Sequence, residues 1–199
     1  MAGGAMNRMF PALTLLLSAS SLAGCGQPQQ PPLAGATIGG PFALTDQNGK
    51  TVRDTDFAGK YRIVYFGYTY CPDVCPTDMQ KIGQAMRILD KSDPRTSDKI
   101  VPIFISVDPE RDTPPVLKQF VANFHPRIIG LTGSPDAIAK VAKSYAVYFK
   151  KQPVSAGGGY MVDHLAIAFL MDPQGKPMVS LPIDKDGEAV AADLRRWVQ

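Results

Sequence analysis

The chain has 199 residues, of which 45% are hydrophobic and 20% charged, and its formal net charge is +3. This length and composition fit one globular domain with a core of normal size plus a short extra segment. So small a positive balance, with no run of Lys and Arg, excludes the electrostatic footprint of a nucleic-acid-binding protein.

The N-terminal residues differ in kind from the rest. Arg8 gives a positive start, and Phe10 to Ala23 is apolar or small with only Ser and Thr as polar interruptions. The stretch is too short to cross a bilayer as a stable helix and ends in small residues, which is the pattern of a secretory signal at 1–24. Leu22-Ala23-Gly24-Cys25 resembles the lipobox of bacterial lipoproteins. That resemblance implies cleavage before Cys25 and a lipid on its thiol; the plain alternative is an ordinary leader with Cys25 as a bystander. Gly26 to Ala36 is rich in Gln and Pro. Residues 25–38 are therefore expected to be a lipidated anchor and flexible linker, and 39–199 the folded domain.

Within the domain, Phe42 to Thr45 and Thr51 to Val52 read as a hairpin around an Asn48-Gly49 turn. Arg62 to Tyr68 is a buried strand rich in β-formers that runs into Cys71-Pro-Asp-Val-Cys75-Pro76. Pro76 suits the first turn of a helix, and Met79, Ile82, Met86 and Leu89 supply its apolar stripe. Ile100 to Val107 is a second buried strand, followed by a loop at Asp108 to Pro114 and a helix at Pro115 to Phe124. A short strand at Ile128 to Leu131 precedes a helix opened by Ser134-Pro135 and running to Tyr145. Val147 to Lys150 is a predicted strand, and Gln152 to Gly159 is a loop of Pro, Gly and Ser. A strand at Leu165 to Met171, a turn at Pro173 to Gly175, a strand at Met178 to Leu181 and a helix at Glu188 to Val198 complete the chain. Strands alternating with helices imply an α/β fold with a parallel core, to which the late hairpin adds antiparallel strands. Thioredoxin-like domains are built this way: a central mixed sheet flanked by helices, with cysteines where the first core strand meets its helix. The N-terminal hairpin is an addition to that plan.

Cys71 and Cys75 are the cysteines that remain in the exported domain. A lone pair in an oxidising compartment is usually a structural bridge, but a loop this short removes little chain entropy. The pair therefore points to chemistry. At i and i+4 across a helix start, both thiols lie within reach of each other. They can form a disulfide or chelate a soft ion, and the helix N-terminus favours the thiolate that both roles need. Asp73 and Asp78 add negative charge nearby, either to suit a cation or as solvated carboxylates of the helix start. His164 follows Asp163 at the predicted start of an apolar strand, where loops gather. Two thiolates and one imidazole suit copper(I) and fall one short of a closed zinc site. Asp163 is a candidate to orient the imidazole from behind, or a plain turn residue. His125 ends a helix and reads as a C-terminal cation or surface residue. Met161 is not counted as a ligand.

Three separated segments carry a resemblance. Tyr65 to Pro76, Ile105 to Pro114 and Val162-Asp163-His164 resemble the Sco/SenC family. Phe124 to Arg127 and Gly130 to Gly133 look like further family segments, so the resemblance covers Phe42 to Leu181. It implies a membrane-anchored, thioredoxin-like metallochaperone of cytochrome c oxidase assembly. It further implies copper ligation by Cys71, Cys75 and His164, as copper(I) and also as copper(II). The implied partners are the copper subunit of the oxidase, other periplasmic copper chaperones and thiol reductants, with the domain facing the periplasm or cell exterior. A monomer is the default expectation. Tyr70 stands before the first cysteine where many relatives carry another residue, and lipid on Cys25 replaces the transmembrane helix of many relatives.

Three functions follow from these residues. The first is a copper chaperone that delivers to the copper A site of the oxidase and performs no turnover. The second is a thiol–disulfide oxidoreductase in which Cys71 or Cys75 reduces the cysteines of that same site. Such reductases usually carry C-x-x-C and a facing proline, where this chain has one residue more and Asp163-His164-Leu165. The third, a peroxidase, ranks last because the surroundings of the cysteines do not resemble a peroxiredoxin site.

Overall fold

The structure is a computed structural model that describes residues 1–4, 29–155 and 157–199. The expected leader falls almost wholly, and Cys25 with the start of the linker falls wholly, outside the described residues. The strands are β1 (Ala43–Asp46), β2 (Thr51–Arg53), β3 (Tyr61–Gly67), β4 (Ile100–Ser106), β5 (Ile129–Thr132), β6 (Phe149–Lys151), β7 (Val162–His164), β8 (Ala168–Met171) and β9 (Pro177–Ser180). The α-helices are α1 (Val74–Ser92), α2 (Pro94–Asp98), α3 (Pro114–Ala122), α4 (Pro135–Ser144) and α5 (Gly187–Trp197).

A seven-stranded mixed sheet runs in the order β2-β1-β5-β4-β3-β8-β9. Its centre is parallel, with Tyr65 opposite Phe104 and Ile103 opposite Ile129. β8 lies antiparallel to β3, with Tyr65 opposite Ala168. The middle strands are buried on both faces, which is why β3 and β4 read as continuous apolar runs rather than alternating ones. On α1 the predicted stripe of Met79, Ile82, Met86 and Leu89 is buried, and the helix packs along α5.

The hairpins at both ends of the sheet use the same turn chemistry. Asp46 Oδ1 accepts the N–H groups of Asn48 and Lys50, and Asp172 Oδ1 accepts those of Gln174 and Lys176. Gly49 and Gly175 follow with φ of +79° and +78°, a conformation that glycine adopts without strain.

Three expectations need correction. The second half of the predicted flexible linker is docked rather than free. Leu33 N–H donates to the Met178 carbonyl at 2.9 Å, and Leu33 and Ile38 pack on the core. The strand predicted at Leu165 to Met171 is shortened to Ala168–Met171 in the main sheet, and a strand not predicted, Val162–His164, precedes it and pairs with Phe149–Lys151 in a separate two-stranded ribbon. The strand expected at Val147 to Lys150 starts at Phe149. The predicted order also omits α2, a single turn with Pro94 at its first position and Asp93 as its cap.

Candidate metal centre

The site forms at the C-terminal end of the parallel strands. β3 ends at Gly67, and a loop at 68–73 leads into α1. Pro76 lies in the first helical turn, where a missing N–H leaves no bond unmade. Cys71 precedes the helix and Cys75 lies inside it, so the two do not share a helical face as the spacing predicts. The loop instead folds Cys71 over the helix start, where the Cys75 N–H donates to Cys71 Sγ at 3.5 Å. That sulfur occupies the capping position that the Asp73 side chain leaves unused.

His164 arrives from the other side of the sequence. β8 runs antiparallel to β3 and pairs with it from Ala168 opposite Tyr65, so the chain that precedes Ala168 lies at the C-terminal end of β3. His164, at the end of β7, thereby meets the loop that follows β3. Its Nε2 lies 3.1 Å from Cys75 Sγ. Ligand atoms of Cys71, Cys75 and His164 all lie within 4.8 Å of one another. Both cysteines are buried free thiols. Among the described residues no other group of His, Cys, Asp and Glu side chains is placed to hold a metal ion.

Space for the Cys75 sulfur is made by Gly67. A Cβ on Gly67 would stand 2.9 Å from Cys75 Sγ and 2.9 Å from the Tyr65 ring. Tyr65 and Tyr68 present their rings edge-on to the His164 imidazole, with centroids 6.4 and 5.8 Å away. These rings exclude water and orient the imidazole by contact. Burial pushes the Cys75 thiol up and the His164 imidazole down. Without metal the pocket thus favours neutral groups, and an incoming cation takes the place of the thiol proton. His164 Nδ1 is buried without a hydrogen-bond partner.

Asp163 does not orient that imidazole. Side chains alternate across β7, so Asp163 points outward and accepts a hydrogen bond from Gln152 Nε2. Asp78 also departs from the solvated helix-start reading. It is buried and accepts a hydrogen bond from Tyr65 Oη at 3.1 Å, with Lys81 3.7 Å away. Burial pushes its carboxyl up, and burial beside Cys75 and Asp78 pushes the Tyr65 phenol up, which keeps the phenol a donor. The spacing of Asp78 from Cys75 was visible in the sequence, but its partner on β3 was not. His125 is neither exposed nor a free helix-end cation: it is 3% exposed, and its Nε2 lies 2.9 Å from Asp90 Oδ2.

The loop at 108–114 serves the site from behind. Asp112 is fully buried and accepts Thr69 N–H at 2.9 Å, Thr69 Oγ1 at 2.6 Å and Ser106 Oγ at 2.6 Å. These bonds pin the strand end and the loop that carries Cys71. Met161 lies in the same neighbourhood, with its sulfur 3.8 Å from Tyr68 Oη.

A mixed α/β sheet with a dithiol at the first strand-to-helix junction defines a thioredoxin-like domain, here with a buried imidazole closing a three-donor pocket. The chain belongs to the SCO1/SenC family, whose model matches residues 30–199. It is similar to the mitochondrial protein SCO2 of Saccharomyces cerevisiae, 42% identical over 163 residues, covering 81% of this chain and 53% of that protein. It spans about half the length of the curated relatives it matches first. Among solved structures it resembles ScoI of Bradyrhizobium japonicum with copper bound, at 48% identity and a TM-score of 0.73, covering 80% of this chain and 99% of that one. It also resembles yeast Sco1 with copper bound, at 37% identity and a TM-score of 0.74, covering 81% and 88% of the two chains. No helix among the described residues is long and apolar enough to cross a membrane.

Proposed function

We propose that this chain is a copper metallochaperone tethered by lipid on Cys25, facing the periplasm or cell exterior, that delivers copper to the copper A site of cytochrome c oxidase. The observation that carries this reading is the meeting of His164 Nε2 and Cys75 Sγ at 3.1 Å beside Cys71. Two soft sulfurs and one borderline nitrogen match the preferences of copper(I), and the same three accept copper(II). The copper-bound relatives support the choice of ion. Transfer proceeds by ligand exchange: donors of the oxidase copper subunit replace Cys71, Cys75 and His164 in turn, so that the ion is never free. Upstream copper chaperones load the site, and thiol reductants keep it loadable, because a disulfide between the cysteines removes two of three ligands.

A second reading is favoured by the two free sulfurs at a helix start. It is a thiol–disulfide reductase that prepares the cysteines of the oxidase copper site. The two readings differ in what they ask of His164. Titration with copper under reducing conditions is expected to show about one ion per chain, and a large affinity loss in Cys71→Ser, Cys75→Ser and His164→Ala, exceeding the 10–100-fold typical of residues behind the ligands. Disulfide exchange should persist in His164→Ala. Full copper binding in all three variants would sink the metallochaperone reading.

A further inference from the structure

The third ligand stands outside the main sheet. His164 is carried by the β6–β7 ribbon, which shares no strand pairing with the main sheet. Besides the burial of Val162 and the ion pair of Lys151 with Glu110, the contacts that fix the ribbon beside the cysteines are made by Tyr160, just before β7. Its hydroxyl donates to Asp108 Oδ1 at 2.7 Å, and its carbonyl accepts from Arg111 Nη1 at 3.0 Å. The Arg111 guanidinium lies 3.6 Å from the centre of the Tyr160 ring. Arg111 Nε is in turn paired with Asp108.

The same guanidinium reaches the cysteine side of the pocket. It lies 4.8 Å from the ring centre of Tyr70, the residue before Cys71, and 5.7 Å from that of Tyr68. The Tyr68 ring is one of the two that meet the His164 imidazole edge-on. Arg111 therefore touches both the loop that bears the first ligand and the ribbon that bears the third. A planar cation is suited to this: it stacks on aromatic faces and donates in its own plane at the same time, which an ammonium cannot do.

We propose that Arg111 is a positioning residue for copper binding, holding the His164 ribbon against the Cys71 loop through Tyr160, Tyr70 and Tyr68. The proposal rests on the copper reading above. It adds that apparent affinity depends on the fraction of molecules whose ribbon is clamped, since a site competent only part of the time binds more weakly by that fraction.

The test is a competition titration of the full chain with a chromophoric copper(I) chelator, on wild type, Arg111→Ala, Arg111→Lys, Tyr160→Leu, His164→Ala and the double variant Arg111→Ala/His164→Ala. Arg111→Ala is expected to weaken copper binding about 10–100-fold, with little recovery in Arg111→Lys and a loss of the same direction in Tyr160→Leu. In the His164→Ala background, Arg111→Ala should cost nothing further, because its effect runs through the imidazole. The copper(II) form of Arg111→Ala should lose nitrogen hyperfine structure from its electron paramagnetic resonance spectrum. Wild-type affinity in both Arg111→Ala and Tyr160→Leu, with His164→Ala weakened, overturns the clamp alone. An equal further loss in the double variant also overturns it, since Arg111 would then act on the cysteines or the fold. Wild-type affinity in His164→Ala overturns the copper reading and the clamp together.

Discussion

Gly67 lies against Cys75 so closely that a single added carbon would stand 2.9 Å from the sulfur. The last residue of the first core strand thus sets where a ligand on the following helix can sit. Gly67→Ala is expected to push the Cys75 side chain out of place, at a cost of about 1–3 kcal/mol from overpacking. Copper affinity should fall with it, although no ligand has been changed. Urea unfolding and copper competition on the same variant check both parts; unchanged affinity would mean that the helix shifts to absorb the carbon.

Asp112 predicts a loss at a distance. It contributes no ligand atom, yet it ties Thr69 of the cysteine loop to Ser106 at the end of β4. Asp112→Ala leaves these buried donors without an acceptor, which costs about 1–3 kcal/mol for each group that water cannot reach. The unfolding midpoint in urea should drop, and Cys71 should react faster with an alkylating reagent because its loop is released. An unchanged alkylation rate would show that the loop is held by other means.

The buried pair of His125 and Asp90 predicts how stability responds to acid. His125 Nδ1 accepts the Arg127 N–H at 3.3 Å, so the neutral ring keeps its proton on Nε2 and donates it to Asp90. Burial pushes His125 below its ordinary value of 6.5, against the opposing pull of Asp90. The unfolded chain therefore takes up a proton near pH 6.5 that the folded chain refuses, and stability falls as pH drops through that point. The slope from this residue is at most about 1.4 kcal/mol per pH unit. Burial alone would raise Asp90, but Ser97, His125 and Arg127 outweigh it and hold the carboxyl down, so its contribution is lost only at more acid pH. Urea midpoints measured from about pH 8 to about pH 5 should show the decline. His125→Gln should make the decline shallower, leaving the part that comes from His164, which burial also holds down, and an unchanged profile in that variant would rule out His125 as a source.

Anchoring has its own test. Cys25→Ser is expected to release the protein from the membrane fraction and to abolish incorporation of a radiolabelled fatty acid. Labelling that survives the substitution would assign the lipid to another residue.

Much of the architecture was legible because local rules decide it. Apolar runs marked β3 and β4, periodic apolar residues marked α1, and Pro76 and Ser134-Pro135 marked helix starts. Cys71, Cys75 and His164 could be named from residue chemistry, and the segments around them pointed to the family. Asp163 shows where that reasoning stops. Its place next to His164 in the chain suggests contact with the imidazole, but the pleat of β7 turns neighbours to opposite faces.

What the sequence by itself determined is the set of elements and the kinds of donor atoms, because hydrophobic periodicity, turn chemistry and ligand softness are properties of short segments. What only the tertiary structure decided is who meets whom. The antiparallel placement of β8 beside β3 brings His164 to Cys75 across 89 residues. The buried partnerships of Asp78 with Tyr65 and of His125 with Asp90, and the grip of Arg111 on Tyr160, depend on the same long-range packing. Such contacts follow from how whole elements bury their apolar faces together, and no local pattern encodes them.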